Sequence, residues 1–344
     1  MRYLYRSNDS MVQLSIGISG SKTMSDYIAF AQLAEQYRFH TLSIFDDLML
    51  KPAWPILFVL AQHTHCIRIG PSVCNPHLVH PAILAGNIAM LDEISDRRAY
   101  LGIGRGAFLG FLHVQTPNAI QTVRESVDLI RHLLRGERTP YHGSIFHATE
   151  AAYFQWRPPR AEIPIMIGTW GMKMCRMAGM IADEVKAGSM WSATYGQLMW
   201  EQIEAGARAA NRNPAQVGLV FGPLTSIAEN REEAKAFARH TLAFYLPYLS
   251  PMPEVVGVTA EEIARVKSAN ARGDYAEGAA QISDLCLDNF ALYGTPGDVI
   301  AQIERMVSET AVTRIEFGMP HGPHGSANAI HLLGKYVLPH FKTN

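Results

Sequence analysis

Leu101 to Gly110 reads LGIGRGAFLG, and the choice between two α/β architectures turns on it. Gly102, Gly104 and Ala107 match the GxGxxA form of a dinucleotide fingerprint, which would open a doubly wound sheet. That reading needs a helix after the glycines and then a strand ending in an acidic residue about 20 positions on. Around Arg124 and Glu125 the chain keeps helical spacing instead, so the fingerprint fails. The glycines read as a strand end that something flat or bulky approaches closely.

Working outward, the hydrophobic period switches repeatedly between two and about 3.6. Strands are expected at 12–18, 40–45, 67–73, 99–103, 164–167, 184–187, 217–221 and 312–317. Helices are expected at 23–37, 55–63, 82–94, 119–134, 172–181 and 197–209. Thr23 with Asp26 marks one helix start, and Thr295 with Pro296 and Asp298 marks another. Eight strands alternating with helices predict one (β/α)8 TIM barrel over residues 1–344. A polar hairpin or loop insertion is expected at 141–158, and a helical insertion after strand seven at 242–288.

The chain has 48% hydrophobic residues and 30 basic against 31 acidic side chains, with no Lys/Arg block. That composition predicts a globular protein without the electrostatic footprint of a nucleic-acid or anionic-membrane partner. No apolar run approaches the roughly 20 residues of a membrane span, and residues 1–12 lack a signal-peptide core, so a cytoplasmic location is expected. Cys66, Cys74, Cys175 and Cys286 are scattered without CxxC spacing. Reduced thiols follow, with neither a disulfide framework nor structural zinc.

Barrel enzymes build their sites on loops that follow the C-terminal ends of strands. On that rim fall Asp46 and Asp47, 72–80, 104–110, 168–171, Gly188 with Ser189, and 318–324. His63-Thr64-His65 resembles a metal-ligand pair but falls on the opposite rim, where residues serve stability. His77, His80, His321 and His324 follow strands and could converge with Asp46 on a metal, but solvated or substrate-facing histidines are the stronger reading, and no metal is expected. Gly168-Thr169-Trp170-Gly171 joins a strand to a helix start. Free N–H groups there, with glycine beside them, make either a phosphate cradle or a tight turn; the barrel architecture favours the cradle.

The ordered segments FDDLMLKPAWP, IRIGPSVCNPHLVHPA, LDEISDRRAYLGIGRG, IPIMIGTWGMKMCRMAGMIAD, YGTPGDVI and FGMPHGP resemble the bacterial luciferase-like family. Their nearest resemblance is to its deazaflavin-dependent branch, which includes methylenetetrahydromethanopterin reductases and sugar-phosphate dehydrogenases. The resemblance implies coenzyme F420, with FMN as the alternative, a small-molecule substrate and a homodimer. It also implies a non-prolyl cis peptide behind the ring, matching Ser72–Val73, although Gly70–Pro71 remains open from the sequence. Cofactor contacts carried over are Asp46, Ser72, Val73 with the adjoining Cys74 and Asn75, Gly104, Arg105 and Gly106. To these it adds Gly168, Thr169, Trp170, Gly171, Gly188 and Ser189.

Departures from the family pattern narrow the reaction. Ala182-Asp183-Glu184 stands where the family has ADG, and Asp46-Asp47 where sugar-phosphate members have Asp-His. Their strand-four acid aligns with Ala107. A sugar-phosphate substrate is therefore disfavoured. The expected activity is hydride transfer between F420 and a small organic substrate, with Asp46 or Asp47 tuning ring protonation or relaying a proton. Trp54, Arg105, His77 and His321 are candidates for the substrate pocket. Alternatives are an FMN-dependent monooxygenase, a metal-dependent hydrolase built on Asp46 and the loop histidines, and a barrel that sequesters a flavin without turnover.

Overall fold

The computed structural model describes residues 12–47 and 49–341. Its strands are β1 (Gln13–Ile18), β2 (Thr41–Ile44), β3 (Arg68–Pro71), β4 (Leu101–Gly104), β5 (Tyr141–His142) and β6 (His147–Ala148). β7 (Ile165–Gly168), β8 (Glu184–Gly188), β9 (Gly218–Gly222), β10 (Leu224–Ile227), β11 (Ala291–Gly294) and β12 (Val312–His321) follow. The barrel runs β3-β2-β1-β12-β9-β8-β7-β4, and bridges from Ile69 to Ala99 and from Cys74 to Ile103 close it. This is the (β/α)8 arrangement that the alternating periods predict, and β5 with β6 is the expected hairpin.

Short strands suffice because helices cover the outside while side chains fill the middle. On the outward faces of the strands, beneath those helices, Ile16, Leu42, Ile69, Leu101, Ile167, Val185, Leu219 and Ile315 are all fully buried. The helix starts read from sequence are real: Thr23 with Asp26 and Thr295 with Asp298 each form a complete capping box. The helix Ala119–Leu134 has the predicted bounds, whereas Ala193–Ala209 starts earlier than expected, capped by Ser192.

The region after β9 differs from expectation. Pro223 interrupts the strand after Gly222, and β10 then pairs in parallel with β11 and with the far end of β12. Residues 318–321, expected to be loop, therefore extend β12, with Gly318 paired to Gly17 and to Leu224. Helix Arg231–Tyr245 continues past the predicted start of the insertion, and Met252–Val255, Ala260–Ala271, Tyr275–Ala280 and Asp284–Phe290 make up the rest. Four-residue strands such as LTSI and ALYG show too little alternation to be distinguished from turn or helix by period alone.

Glu125 holds the β5–β6 hairpin on helix Ala119–Leu134. Its carboxylate accepts from Gln121 Nε2 (2.7 Å), Ser144 N (2.8 Å), Ser144 Oγ (2.6 Å), Ile145 N (2.8 Å) and Phe146 N (3.0 Å). Burial alone would raise its pKa, but these donors, the Ser144 hydroxyl foremost, hold it down at about 2. A depressed carboxyl stabilises the fold above its unfolded value of about 4.3, and the contribution is lost as pH falls towards the folded value. Glu125→Ala should cost about 3 kcal/mol through orphaned donors and expose 141–158 to protease at neutral pH. Unchanged cleavage kinetics would show that the hairpin is anchored elsewhere.

Candidate active site

Beyond β3 the chain turns across the barrel rim. Ser72 N–H donates to Ile44 O (2.8 Å), Cys74 N–H to Gly102 O (2.9 Å), and Gly104 N–H to Cys74 O (3.1 Å). Of the two bonds left open by the sequence, Ser72–Val73 is the cis one. A Cβ at Gly104 would lie 3.0 Å from Val73 Cγ2, and one at Gly168 would lie 2.7 Å from Val73 Cγ1. Val73 thus rests on the ends of β4 and β7, and the first reason for those glycines is contact within the protein. Gly102 likewise yields to the Pro71 carbonyl.

Gly188 is different. Its φ is ordinary, and among the described residues nothing beyond its chain neighbours lies within 4 Å of where its Cβ would be. None of those residues demands glycine there, so the strand end leaves room for a ligand. Trp170 Nε1 donates to Gly188 O (2.9 Å), which ties the 168–171 turn to this position, and Ser189 follows in the left-handed region at φ 56°. Gly171 N–H is taken by Thr169 Oγ1 (3.0 Å), but helix Met172–Ile181 has no side-chain cap. The N–H groups of its first turn are available to an anion such as phosphate.

Below the rim, the barrel interior is charged. Arg314 Nε and Nη2 donate to the Glu184 carboxylate at 2.8 and 3.0 Å, and Arg68 Nη1 joins at 3.0 Å. Arg314 Nη1 also reaches Glu316 Oε2 at 3.4 Å, where Ser43 Oγ donates at 2.5 Å; the Ser43 hydroxyl in turn bonds the Tyr100 hydroxyl at 2.6 Å. Lys186 pairs with Glu316 Oε1, and its Nζ donates to Ser72 Oγ at 2.7 Å. Burial pushes the Lys186 ammonium below its ordinary value. Burial opposes ionisation of Glu184 and Glu316 too, but their cations win and hold both carboxyls down, Glu184 at about 2.

Sequence reasoning passed over this cluster, although a signal existed. Glu184-Val185-Lys186-Ala187 and Arg314-Ile315-Glu316-Phe317 alternate charged and apolar residues with period two. In a barrel strand whose outer face packs on helices, such charges can only point inward. The Glu184 that departs from the family's ADG pattern is the partner of Arg314 and Arg68.

The two aspartates after β2 divide their roles. Asp46 Oδ1 accepts from Ala53 N (3.1 Å) and so caps helix Ala53–His63, whose Pro52 N-cap offers no side-chain bond. Burial raises its pKa. Asp47 accepts no such bond among the described residues, and burial, aided by Asp46 and opposed by Lys186, pushes its carboxyl up to about 6. Tyr245 faces it from the helix after β10, raised to about 12 by burial first and by the Asp47 charge second.

Aromatic side chains from the β4 loop and the insertion meet. Phe108, at φ 58°, stacks on Phe111 at 5.3 Å, and Tyr248 stands edge-on to them at 5.5 and 6.3 Å. Phe111 and Tyr248 remain exposed. His77 Nε2 is buried without a partner among the described residues, and burial, then Arg105, lowers its pKa.

The other predicted residues spread out. Cys74 is fully buried, its Sγ donating to Gly102 O (3.0 Å), so it supports the bulge from behind. Asn75 Oδ1 accepts from His77 N (2.8 Å), and its side chain occupies the space beside Gly106, which sits at φ 85°. Trp54 is half-buried against Phe58, and Arg105 is exposed. The side chain of His321 lies outside what the structure describes. His80 caps helix Pro81–Ile94 and His324 lies 3.9 Å from Glu233, and among the described residues no three His, Cys, Asp or Glu side chains gather where they could hold a metal ion. His63-Thr64-His65 lies at the far rim, where Glu35 accepts from His65 N (2.7 Å).

A family model described as luciferase-like monooxygenase matches residues 9–314. The 5,10-methylenetetrahydromethanopterin reductase of Archaeoglobus fulgidus is 32% identical over 320 residues, covering 91% of this chain and 95% of that protein. The reductase of the same name from Methanolobus tindarius is 31% identical over 318 residues, covering 90% and 94%. The solved structure of the coenzyme F420-dependent tetrahydromethanopterin reductase from Methanopyrus kandleri superposes with a TM-score of 0.90 at 26% identity, covering 96% of this chain and all of that one.

Proposed function

Because the chain belongs to the luciferase-like monooxygenase family, we propose that it is an F420-dependent oxidoreductase that moves a hydride between this cofactor and a small organic substrate. The observation that carries the reading is the platform of Val73 on Gly104 and Gly168 beside the open space at Gly188, on a chain similar along nine-tenths of its length to methylenetetrahydromethanopterin reductases. Coenzyme F420, when bound, supplies the carbon that accepts or donates the hydride.

The chain's own residues do the rest. Val73, Gly104 and Gly168 back the ring, Gly188 and Ser189 border it, and the uncapped first turn after Gly171 takes its phosphate. Phe108, Phe111 and Tyr248 form an aromatic wall suited to a flat heteroaromatic substrate, as a pterin is. His77 and Arg105 present polar atoms to the edge of that substrate. Asp47, half-buried and raised to about 6, is the group that holds or releases a proton near neutral pH, while Asp46 orders the helix beneath it. We read the working unit as a homodimer, on the family resemblance alone.

Fluorescence titration of the purified protein with F420 and, separately, with FMN tests this reading. Binding of F420 at micromolar or lower concentration, with FMN at least about tenfold weaker, is expected; that ratio corresponds to about 1.4 kcal/mol. Selective FMN binding would favour a monooxygenase, and binding of neither would overturn the cofactor assignment.

A further inference from the structure

Three cations, Arg68, Arg314 and Lys186, face two carboxylates, Glu184 and Glu316, inside the barrel. Lys186 is the member of the cluster that reaches the rim, through Ser72 of the bulge. Its side chain is 7% exposed, its ammonium sits 5.0 Å from the Phe45 ring centroid, and its bonds go to Glu316 and to Ser72 Oγ. Ser72 belongs to the rim bulge, and Asp47 is the rim carboxyl that feels the ammonium. Lys186 therefore connects the charged interior to two parts of the site at once.

We propose that Lys186 is a positioning residue of the hydride-transfer site: anchored by Glu316, it fixes the Ser72 hydroxyl of the bulge and, seated over the Phe45 ring two residues before Asp47, acts on that carboxyl. The inference rests on the reading of the rim as the F420 site. The contacts run between strands far apart in the chain. β8 supplies the lysine, β12 the glutamate and the β3 loop the serine, while Asp47 on the β2 loop is reached through the lysine's charge.

Among the described residues, the titratable groups that bear on Asp47 are Lys186 from β8, Asp46 on its own loop, and Tyr245 from helix Arg231–Tyr245. Lys186 itself is faced by Glu316 and Arg314 from β12 as well as by Asp47. Lys186 is thus the cation that holds the Asp47 carboxyl down against burial and Asp46. Removing it should move the Asp47 titration towards higher pH.

The test uses the full chain as the double variant K186M/E316Q, which removes the pair together and avoids stranding a buried carboxylate, alongside S72A. Asp carboxyl carbons are labelled with 13C, and Asp47 is assigned by its loss in D47N. The wild-type Asp47 midpoint is expected near about 6, and the double variant should move it up by about one unit or more. S72A should leave that midpoint in place, and both variants should weaken F420 binding about tenfold. Because Glu316 is also altered, K186Q is measured too, and an equal rise in the midpoint assigns the effect to the lysine charge. An unmoved midpoint in the variants that fold, with F420 affinity within twofold of wild type, would overturn the proposal. If neither lysine variant folds, S72A decides: unchanged F420 affinity overturns the anchoring role. If wild type binds no F420, the functional reading fails, and the carboxyl titration still judges the link between Lys186 and Asp47.

Discussion

Replacing Arg314 with methionine is expected to destabilise the protein by about 3–5 kcal/mol at neutral pH, because it leaves buried carboxylates without their shared cation. Arg314 is fully buried, and it is the group that bonds both Glu184 and Glu316. Arg68 still reaches Glu184, and Lys186 still reaches Glu316, but the bidentate contact on Glu184 is gone. Glu184 is held at about 2 in the folded protein. Its contribution to stability is therefore complete above the unfolded value of about 4.3 and fades as pH falls from there.

In the variant, the stranded carboxyls titrate higher and enter the barrel more readily when protonated. The difference between wild type and variant should therefore be largest near pH 7 and shrink below about pH 4. Urea unfolding at several pH values measures both. A loss under about 1 kcal/mol, the size of an exposed pair, would mean that water reaches the cluster and the interior is not dry.

Asp47→Asn should abolish most turnover, by a factor on the order of 10²–10⁴, the usual contribution of a positioned acid or base. The same substitution should make the protein more stable at neutral pH. The folded carboxyl is raised by burial to about 6, so a charged Asp47 costs stability above that value, and asparagine removes the charge. In the direction in which Asp47 donates, wild-type activity should fall as pH rises through about 6, and the variant should lack that limb. Kinetics with F420 and thermal unfolding at pH 7 check the pair of effects. A variant that is fully active, or inactive only because it is less stable, would remove Asp47 from the mechanism. Such opposed changes are the signature of a group kept for function at the expense of the fold.

Asp46 shows why neighbouring residue types do not settle roles. Both aspartates sit at the end of β2, and sequence position treats them alike. Only the chain's path past Pro52 makes Asp46 the acceptor for Ala53 N and leaves Asp47 towards Lys186 and Tyr245. Cys74 makes the same point from the other side: it adjoins the bulge in sequence but faces Gly102 inside the wall.

What the sequence determined by itself is what short-range physics controls. Alternating periods placed the eight barrel strands, and local capping chemistry at Thr23 and Thr295 placed helix starts, because those interactions span only a few residues. The rim assignment of Asp46, Asp47, Ser72, Val73, Gly104, Gly168 and Gly188 followed from strand direction alone. The tertiary structure decided the rest. Pairing of β10 with β11 joins residues more than sixty positions apart, separated by the insertion's helices, and no local pattern encodes it. The partners of Glu184, Lys186, Arg314 and Glu316 are likewise fixed by barrel closure, since a buried charge can be read as inward from its period but can be paired only when the strands are in register.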